Sequence, residues 1–266
     1  MTQEYAGYQT IAVAIDARVA TVTLNRPALR NAFNEITIAE LSAVFGQLGN
    51  DPAVRVIVVA ASGPAFCAGA DLHWMKKMAS YSHAENLADA AALAAMLRAI
   101  DLCSKPVVAR VQGDAYAGGV GLVAAADIAV AAQGAQFCLS EVKIGLIPAT
   151  ISPYVIRAMG ASAARRYFLT AERFPAQQAH RIGLVHEVVE AQALDSTVAG
   201  IVNALLAASP HAVGAAKQLV RDVAGKAIDD ALIADTVGRI ADIRASDEGR
   251  EGVQSFLDKR KPRWLD

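Results

Sequence analysis

The chain has 266 residues, of which 54% are hydrophobic and 19% are charged, so it can bury a large core. Its 25 Lys and Arg residues nearly balance its 26 Asp and Glu residues, and the net charge of −1 argues against a nucleic-acid partner and against disorder. No apolar stretch is long enough for a membrane span, and no secretion signal is visible. Cys67, Cys103 and Cys138 stand alone, which is typical of free thiols in a reducing compartment. We therefore expect a cytoplasmic protein without a metal site or a membrane partner.

Strand and helix patterns alternate through the first half of the chain. The first two apolar runs are β-branched and separated by a short polar turn, as in a hairpin. The later apolar runs are continuous, which is typical of strands buried on both faces, and helical periodicity precedes each of them. The predicted elements are strands Ile11–Ile15 and Val19–Leu24, helix Glu35–Gly49, strand Val56–Ala61, helix Ala84–Ser104 and strand Val107–Val111. This order favours parallel crossovers and therefore an α/β fold.

The second half is rich in alanine and mostly helical in its periodicity, apart from the β-branched stretch Gly183–Val189. The predicted helices are Ala161–Thr170, Ala176–Ile182, Ala193–Ala208, Ala212–Ala224, Ile228–Ala245 and Asp247–Asp258. The carboxy-terminal third has no acid/base cluster of its own. We therefore predict a core region over residues 1–200 and a helical region for packing and oligomerisation over residues 201–266.

Two turns built from small residues follow the buried strands. The first glycine turn, Ala65–Leu72, follows Val56–Ala61, and the second, Gly113–Gly121, follows Val107–Val111. Small residues let a ligand approach the backbone, and a helix start leaves N–H groups without partners. Two such turns at the ends of parallel strands can direct two N–H donors to one point, which is the arrangement of an oxyanion hole. The alternative is that both are ordinary strand-to-helix turns.

An ordered set of motifs carries a family resemblance across essentially the whole chain. The motifs are Ala68-Gly69-Ala70-Asp71-Leu72, Gly113-x-Ala115-x-x-Gly118-Gly119, Ala126-Asp127-Ile128 and Phe137-x-x-x-Glu141-x-x-x-Gly145-Leu146-Ile147-Pro148, flanked by Leu24–Phe33 and Phe256–Arg260. In this order and register they resemble the crotonase (enoyl-CoA hydratase/isomerase) superfamily. The resemblance implies a spiral of ββα units with a helical carboxy-terminal trimerisation region, assembled as trimers or as dimers of trimers.

The resemblance also implies an acyl-CoA thioester substrate, with coenzyme A as part of the substrate and no separate cofactor. The backbone N–H groups of Ala70 and Gly118 match the family's oxyanion hole. Other positions match segments that line or reach coenzyme A, sometimes from a neighbouring subunit: Arg30, Ala68, Asp71, Leu72, Phe256 and Lys259.

Glu141 matches the family's second catalytic acid, and Gly121 stands where typical hydratases carry the first. With that acid missing, three explanations are open. Glu141 performs both proton transfers, another group positions the water, or the enzyme is an isomerase or another single-acid member. Asp114 lies nearby, but we expect it to cap the turn.

Two further stretches, Ala149–Ile156 and Arg165–Phe174, resemble bacterial methylglutaconyl-CoA and carboxygeranoyl-CoA hydratases, which act in leucine and acyclic terpenoid breakdown. Substrates of these enzymes carry a second carboxylate, for which Lys143 and His73 are the cations nearest to the motifs. We therefore expect a lyase that hydrates a branched, carboxylated 2-enoyl-CoA.

Three other functions compete with this expectation. The first is an enoyl-CoA isomerase that uses Glu141 alone. The second is RNA binding, as in a eukaryotic methylglutaconyl-CoA hydratase, but helix Glu35–Gly49 contains no Lys or Arg and offers no phosphate-binding stripe. The third is a catalytically inactive scaffold, against which the retained Glu141 and both glycine turns argue.

Overall fold

The computed structural model describes residues 3–5 and 7–265, with side chains from residue 7 onward. Its strands are β1 (Gln3–Tyr5), β2 (Ile11–Asp16), β3 (Val19–Leu24), β4 (Val56–Ala61), β5 (Val107–Val111), β6 (Ala115–Tyr116), β7 (Ile128–Ala132), β8 (Gln136–Cys138), β9 (Phe174–Pro175) and β10 (Glu187–Val189). Its α-helices are α1 (Glu35–Asn50), α2 (Leu72–Met78), α3 (His83–Asp101), α4 (Gly118–Ala125), α5 (Ser152–Thr170), α6 (Ala176–Arg181), α7 (Leu194–Ala207), α8 (Pro210–Val223), α9 (Asp230–Ala245) and α10 (Asp247–Leu257).

A seven-stranded sheet in the order β1-β2-β3-β4-β5-β7-β10 forms the centre of the fold. The pairs β1–β2 and β2–β3 are antiparallel, and every later pair in the sheet is parallel. The predicted hairpin and the predicted α/β class are therefore both confirmed. The continuous apolar runs are explained by burial on both faces, because every residue of β4 is buried.

Alternate residues of β4 contribute to two different apolar cores. Ile57 and Val59 pack into the larger core, which includes side chains from α1 and α3. Val56 and Val58 face the other way and pack with Val198 and the rest of the apolar face of α7. The sheet is thus covered by helices on both sides, so the ends of its parallel strands are the accessible edge where loops can build a site.

A second, three-stranded sheet, β6-β8-β9, holds the two glycine turns together. Its strands have two or three residues each, too short to be predicted from periodicity. Single bridges extend it, because Cys67 pairs with Ala115 and Phe33 pairs with Ala70. The small sheet therefore connects the first glycine turn to the second, and the second to the segment that leads into Glu141.

Several helix boundaries differ from the predictions. Helix α2 begins directly after Asp71, at the end of the first glycine turn, because the carboxylate of Asp71 caps its first turn. Helix α5 begins at Ser152, nine residues before the predicted start at Ala161, and a break at Gly160 (φ 76°) separates its two parts. The stretch Gly183–Val189 contains β10, the last parallel strand of the main sheet.

The predicted boundary after residue 200 falls inside α7, whose Val198 and Val202 both pack against the sheet. The change from core to helical layer therefore comes after this helix, and the role of the last helices in oligomerisation stays a prediction. No single described helix is long and apolar enough to cross a membrane; residues 191–207 and 210–223 meet that test only as a pair, bent by 108°.

A substitution at Gly113 tests how closely the backbones of the two glycine turns approach each other. A Cβ at this position would overlap the Pro64 carbonyl oxygen and lie 3.2 Å from the Ala65 Cα, and both obstacles are backbone. We expect Gly113→Ala to lower the free energy of unfolding by about 2–3 kcal/mol, as overpacking does. Chemical denaturation measures this, with Gly134→Ala as the control because a Cβ there meets nothing within 4 Å. Equal stabilities of the two variants would contradict the close approach.

Candidate active site

The first glycine turn presents the N–H of Ala70. Gly69 has φ +87°, and its carbonyl accepts a hydrogen bond from the Phe33 N–H at 2.9 Å. The Asp71 N–H donates to the Phe33 carbonyl at 2.9 Å. Because both flanking residues pair with Phe33, the intervening N–H of Ala70 points away from it, and it donates to no backbone carbonyl in the described part of the chain.

Asp71 fixes the end of this turn. Its Oδ1 accepts from the His73 N–H at 2.7 Å and the Trp74 N–H at 3.4 Å, and its Oδ2 accepts from the Arg26 guanidinium at 2.7 Å. Burial acts to raise the pKa of Asp71, but these hydrogen bonds outweigh burial and hold the pKa below its ordinary value. Arg26 also donates to the Ala32 carbonyl at 2.6 Å. The carboxylate is therefore ionised, with one oxygen bound to the backbone of α2 and the other to the Arg26 guanidinium.

The second glycine turn presents the N–H of Gly118. Ala117, just before α4, has φ 48° and ψ −118°, a conformation that is rare for a residue with a Cβ. Its N–H donates to the Cys138 carbonyl at 2.8 Å, so the small sheet holds it in place. Gly118 opens α4, and the first N–H of a helix has no acceptor within the helix.

Both turns contact Phe33. A Cβ at Gly118 would lie 2.9 Å from the Phe33 Cε1, and a Cβ at Gly119 would lie 2.9 Å from the Cys67 Cβ. The glycines therefore allow α4 to start directly against the first turn. The N–H groups of Ala70 and Gly118, which donate to no backbone carbonyl among the described residues, belong to these two adjoining turns. This arrangement can hold an oxygen that gains negative charge, at about 2.7–4 kcal/mol per donor in acyl chemistry.

Glu141 starts a 3₁₀ turn, Glu141–Ile144, just after β8. Its Oε2 is buried and has no hydrogen-bond partner among the described residues. Burial raises the pKa of this carboxyl above its ordinary value. The carbonyl of Cys138, three residues earlier, is the one that holds Ala117. A carboxyl with a raised pKa and a buried oxygen that has no partner in the described residues is suited to moving protons.

Ile151 occupies the space that an acidic side chain at position 121 would need. Gly121 is buried, and a Cβ there would lie 2.9 Å from the Ile151 Cβ and would overlap its Cγ2. Ile151 itself is 2% exposed. Asp114 does not take the acid's place, since its Oδ1 accepts from the Gln136 N–H at 3.1 Å and its Oδ2 from the Tyr116 hydroxyl at 3.0 Å. As expected, Asp114 stabilises the turn.

The predicted coenzyme A residues fall into two groups. The Ala68 N–H donates to the Arg30 carbonyl at 3.0 Å, and Leu72, whose side chain is exposed, opens α2 beside Asp71. These four residues therefore gather around the first glycine turn. By contrast, Phe256 and Lys259 lie at the end of α10, which packs against α8 and α9. No hydrogen bond in the described part of the chain joins either side chain to the glycine turns. Their contact with coenzyme A stays a prediction, as does that of the first group.

Sequence reasoning missed the residues that hold the site in shape. Arg26 and Phe33 lie in the flanking motif but carry no sequence signal for an ion pair or for contact with Gly118. The alanine at position 117 does not indicate a positive φ, because glycine is the residue that usually adopts this conformation. Ile151 meets Gly121 only through the tertiary fold. None of these contacts follows from local periodicity or spacing.

Comparison with known proteins adds an independent observation. The sequence model of a family described as "Enoyl-CoA hydratase/isomerase" matches residues 14–266. A crystal structure of an enoyl-CoA hydratase from Shewanella pealeana is 42% identical, with a TM-score of 0.94 and coverage of 97% of this chain and 96% of that one. One from Mycobacterium smegmatis is 36% identical, with a TM-score of 0.91, 97% coverage of this chain and 100% of that one. A short-chain-enoyl-CoA hydratase from Clostridium acetobutylicum is 32% identical over 92% of this chain and 94% of its own length.

Asp71 offers a test of how the first glycine turn is held. Asp71→Ala removes the cap of α2 and leaves Arg26 without its carboxylate, so we expect a loss of about 3 kcal/mol in unfolding free energy. Asp229→Ala is the matched control, because Asp229 caps α9 through the Leu232 N–H and has no ion pair in the described residues. Asp229→Ala should lower the free energy of unfolding by about 1 kcal/mol. If urea denaturation gave both variants the same stability, the ion pair would have no role in holding the turn.

Proposed function

The chain belongs to the enoyl-CoA hydratase/isomerase family, and we propose that it adds water across the double bond of a 2-enoyl-CoA thioester. The observation that carries the proposal is the buried, unpaired Oε2 of Glu141, which follows the strand that holds the second glycine turn. The hydratase names of the similar proteins favour this reaction over the isomerase alternative. Coenzyme A enters as part of the substrate, and the proposal includes no other cofactor.

The geometry suits the charge that develops during hydration. When the water oxygen bonds to the β carbon, the electrons of the double bond move to the thioester oxygen and form an enolate. The N–H groups of Ala70 and Gly118 would stabilise that oxygen more in the transition state than in the ground state. The enolate then returns its electrons and takes a proton at the α carbon. In this proposal Glu141 is the carboxyl that moves the protons.

We also propose self-association through the last helices. Several large apolar side chains there are exposed in the single chain, which is unfavourable in water unless another surface covers them. They are Val220, Ile228, Val237, Val253, Phe256 and Leu257. Trimers, or dimers of trimers, would bury this surface and are the assembly that the family resemblance implies.

Glu141→Gln tests the proton-transfer role. It keeps the size of the side chain but removes its ionisation, so we expect the hydration rate to fall roughly 10³-fold, since a positioned acid or base contributes about 10²–10⁴. The assay follows loss of the conjugated thioester absorbance of crotonyl-CoA, with the exposed Glu190→Gln as the control that keeps full activity. Full activity of Glu141→Gln would contradict the assignment. A gain of the conjugated band from a 3-enoyl-CoA, without hydration of crotonyl-CoA, would show an isomerase instead.

The finer proposal is that the acyl group is branched and carries a second carboxylate, as in 3-methylglutaconyl-CoA. Lys143 supports it, because this exposed cation lies two residues after Glu141 and forms no ion pair in the described residues. His73 is a weaker candidate, since its ring Nδ1 lies 3.6 Å from Asp71 Oδ1. Of the two, we therefore propose Lys143 as the cation that meets the second carboxylate of the acyl group.

Lys143→Ala tests whether Lys143 recognises the second carboxylate, by comparing a substrate with a carboxylated acyl group and one with an uncharged acyl group. We expect kcat/KM for 3-methylglutaconyl-CoA to fall about fivefold, a loss of about 1 kcal/mol, while kcat/KM for crotonyl-CoA stays unchanged. Lys226→Ala, at an exposed lysine beyond α8, is the control. Equal effects of Lys143→Ala on both substrates would remove Lys143 from substrate recognition.

A further inference from the structure

The contact between Gly121 and Ile151 lies one helical turn from the oxyanion donor. Gly118 and Gly121 are three residues apart on α4, so they share one face of the helix. On this face Gly118 meets the Phe33 ring, and Gly121 meets Ile151, with Leu97 Cδ2 3.7 Å from the position of a Cβ. A side chain at position 121 would therefore project beside the start of α4, into space that Ile151 now occupies.

Ile151 is held firmly in that space. It precedes α5, and its carbonyl accepts the N–H groups of Tyr154 and Val155, both at 3.1 Å. Its side chain is 2% exposed and belongs to the main core. Neither the backbone nor the side chain can move aside without breaking helix hydrogen bonds or core packing. Hydrocarbon therefore fills the space that an acidic side chain at position 121 would need.

The other acidic side chains of the two glycine turns are already engaged. Both oxygens of Asp71 accept hydrogen bonds, and so do both oxygens of Asp114. The thiol of Cys67 is no substitute, because burial raises its pKa to about 12. Among the acidic side chains of these turns and of the segment Glu141–Ile144, Glu141 has the free buried oxygen.

We propose that Glu141 performs both proton transfers of hydration, and that Ile151 is the positioning residue that keeps the site to this one carboxyl by filling the space beside Gly121. The inference rests on the proposed hydratase function. Glu141 as carboxylate takes one proton from water while the water oxygen bonds to the β carbon. As a carboxylic acid it then gives that proton to the α carbon when the enolate collapses. One O–H bond of the water and the π bond of the alkene break, one C–O and one C–H bond form, and Glu141 ends as a carboxylate.

The pH profile of kcat/KM distinguishes one carboxyl from two. A single carboxyl must be ionised to start the reaction, so activity should fall at low pH, around the raised pKa of Glu141, and stay level toward higher pH. An acid and a base on separate groups would produce a bell-shaped profile. The charged groups that act on Cys138, three residues before Glu141, are Lys143 on the same turn as Glu141, Arg173 before β9 and Glu141 itself. A profile unchanged by Arg173→Ala assigns the acid limb to Glu141.

Introducing an acid at position 121 tests the role of Ile151. We expect Gly121→Glu to lower Tm because it overlaps Ile151, and Ile151→Ala to lower Tm because it leaves a cavity. The double variant should melt above both single variants, and its pH profile should gain a falling limb at high pH. Gly134→Glu, which introduces the same side chain into open space, is the control for added charge.

Each result decides a separate point. A bell-shaped wild-type profile would overturn the single-carboxyl mechanism. A Tm of Gly121→Glu equal to that of wild type would show that Ile151 does not fill the space. Failure of the wild type to hydrate any 2-enoyl-CoA would refute the proposed function, while the melting temperatures would still decide the contact between Gly121 and Ile151.

Discussion

The site depends on the close approach of two backbone turns, which is possible only because small residues line it. The backbone at Gly113 runs against the Pro64 carbonyl, and Gly119 runs against Cys67. The small sheet then holds both turns through the pairs Cys67–Ala115 and Tyr116–Cys138. Backbone N–H groups held in this way are directed by the fold itself, and they need no rearrangement when charge appears on a bound oxygen.

The same tight packing explains why the pKa values of two carboxyls in this region shift in opposite directions. Asp71 is buried but has its charge satisfied by Arg26 and by the first N–H groups of α2, so its pKa is lowered and it acts as a structural anion. The Oε2 of Glu141 is buried without a hydrogen-bond partner in the described residues, so burial raises the pKa of this carboxyl and it remains available for chemistry. Two carboxyls close to one site thus differ in role because one is hydrogen-bonded and the other is not.

Much of this architecture could be predicted from the sequence. The bounds of β3, β4 and β5 agree with the predicted strands, because a buried strand needs a continuous or alternating apolar run that ends at Pro, Gly or a charged residue. The strands of the small sheet escaped prediction because two or three residues carry no periodic signal. The family resemblance pointed to Glu141 and to the absence of an acid at Gly121. Only the tertiary structure shows that Ile151 fills that position, since the contact joins residues thirty apart that no local pattern relates.

The most direct test of the account is a crystal structure with a non-reactive acyl-CoA analogue bound. The account predicts the thioester oxygen within about 2.7–3.1 Å of the N–H nitrogens of both Ala70 and Gly118. It also predicts the carboxyl of Glu141 facing the α and β carbons, with Ile151 rather than a polar group beside Gly121. A thioester oxygen bound away from these two N–H groups, or a Glu141 carboxyl turned from the acyl chain, would contradict it.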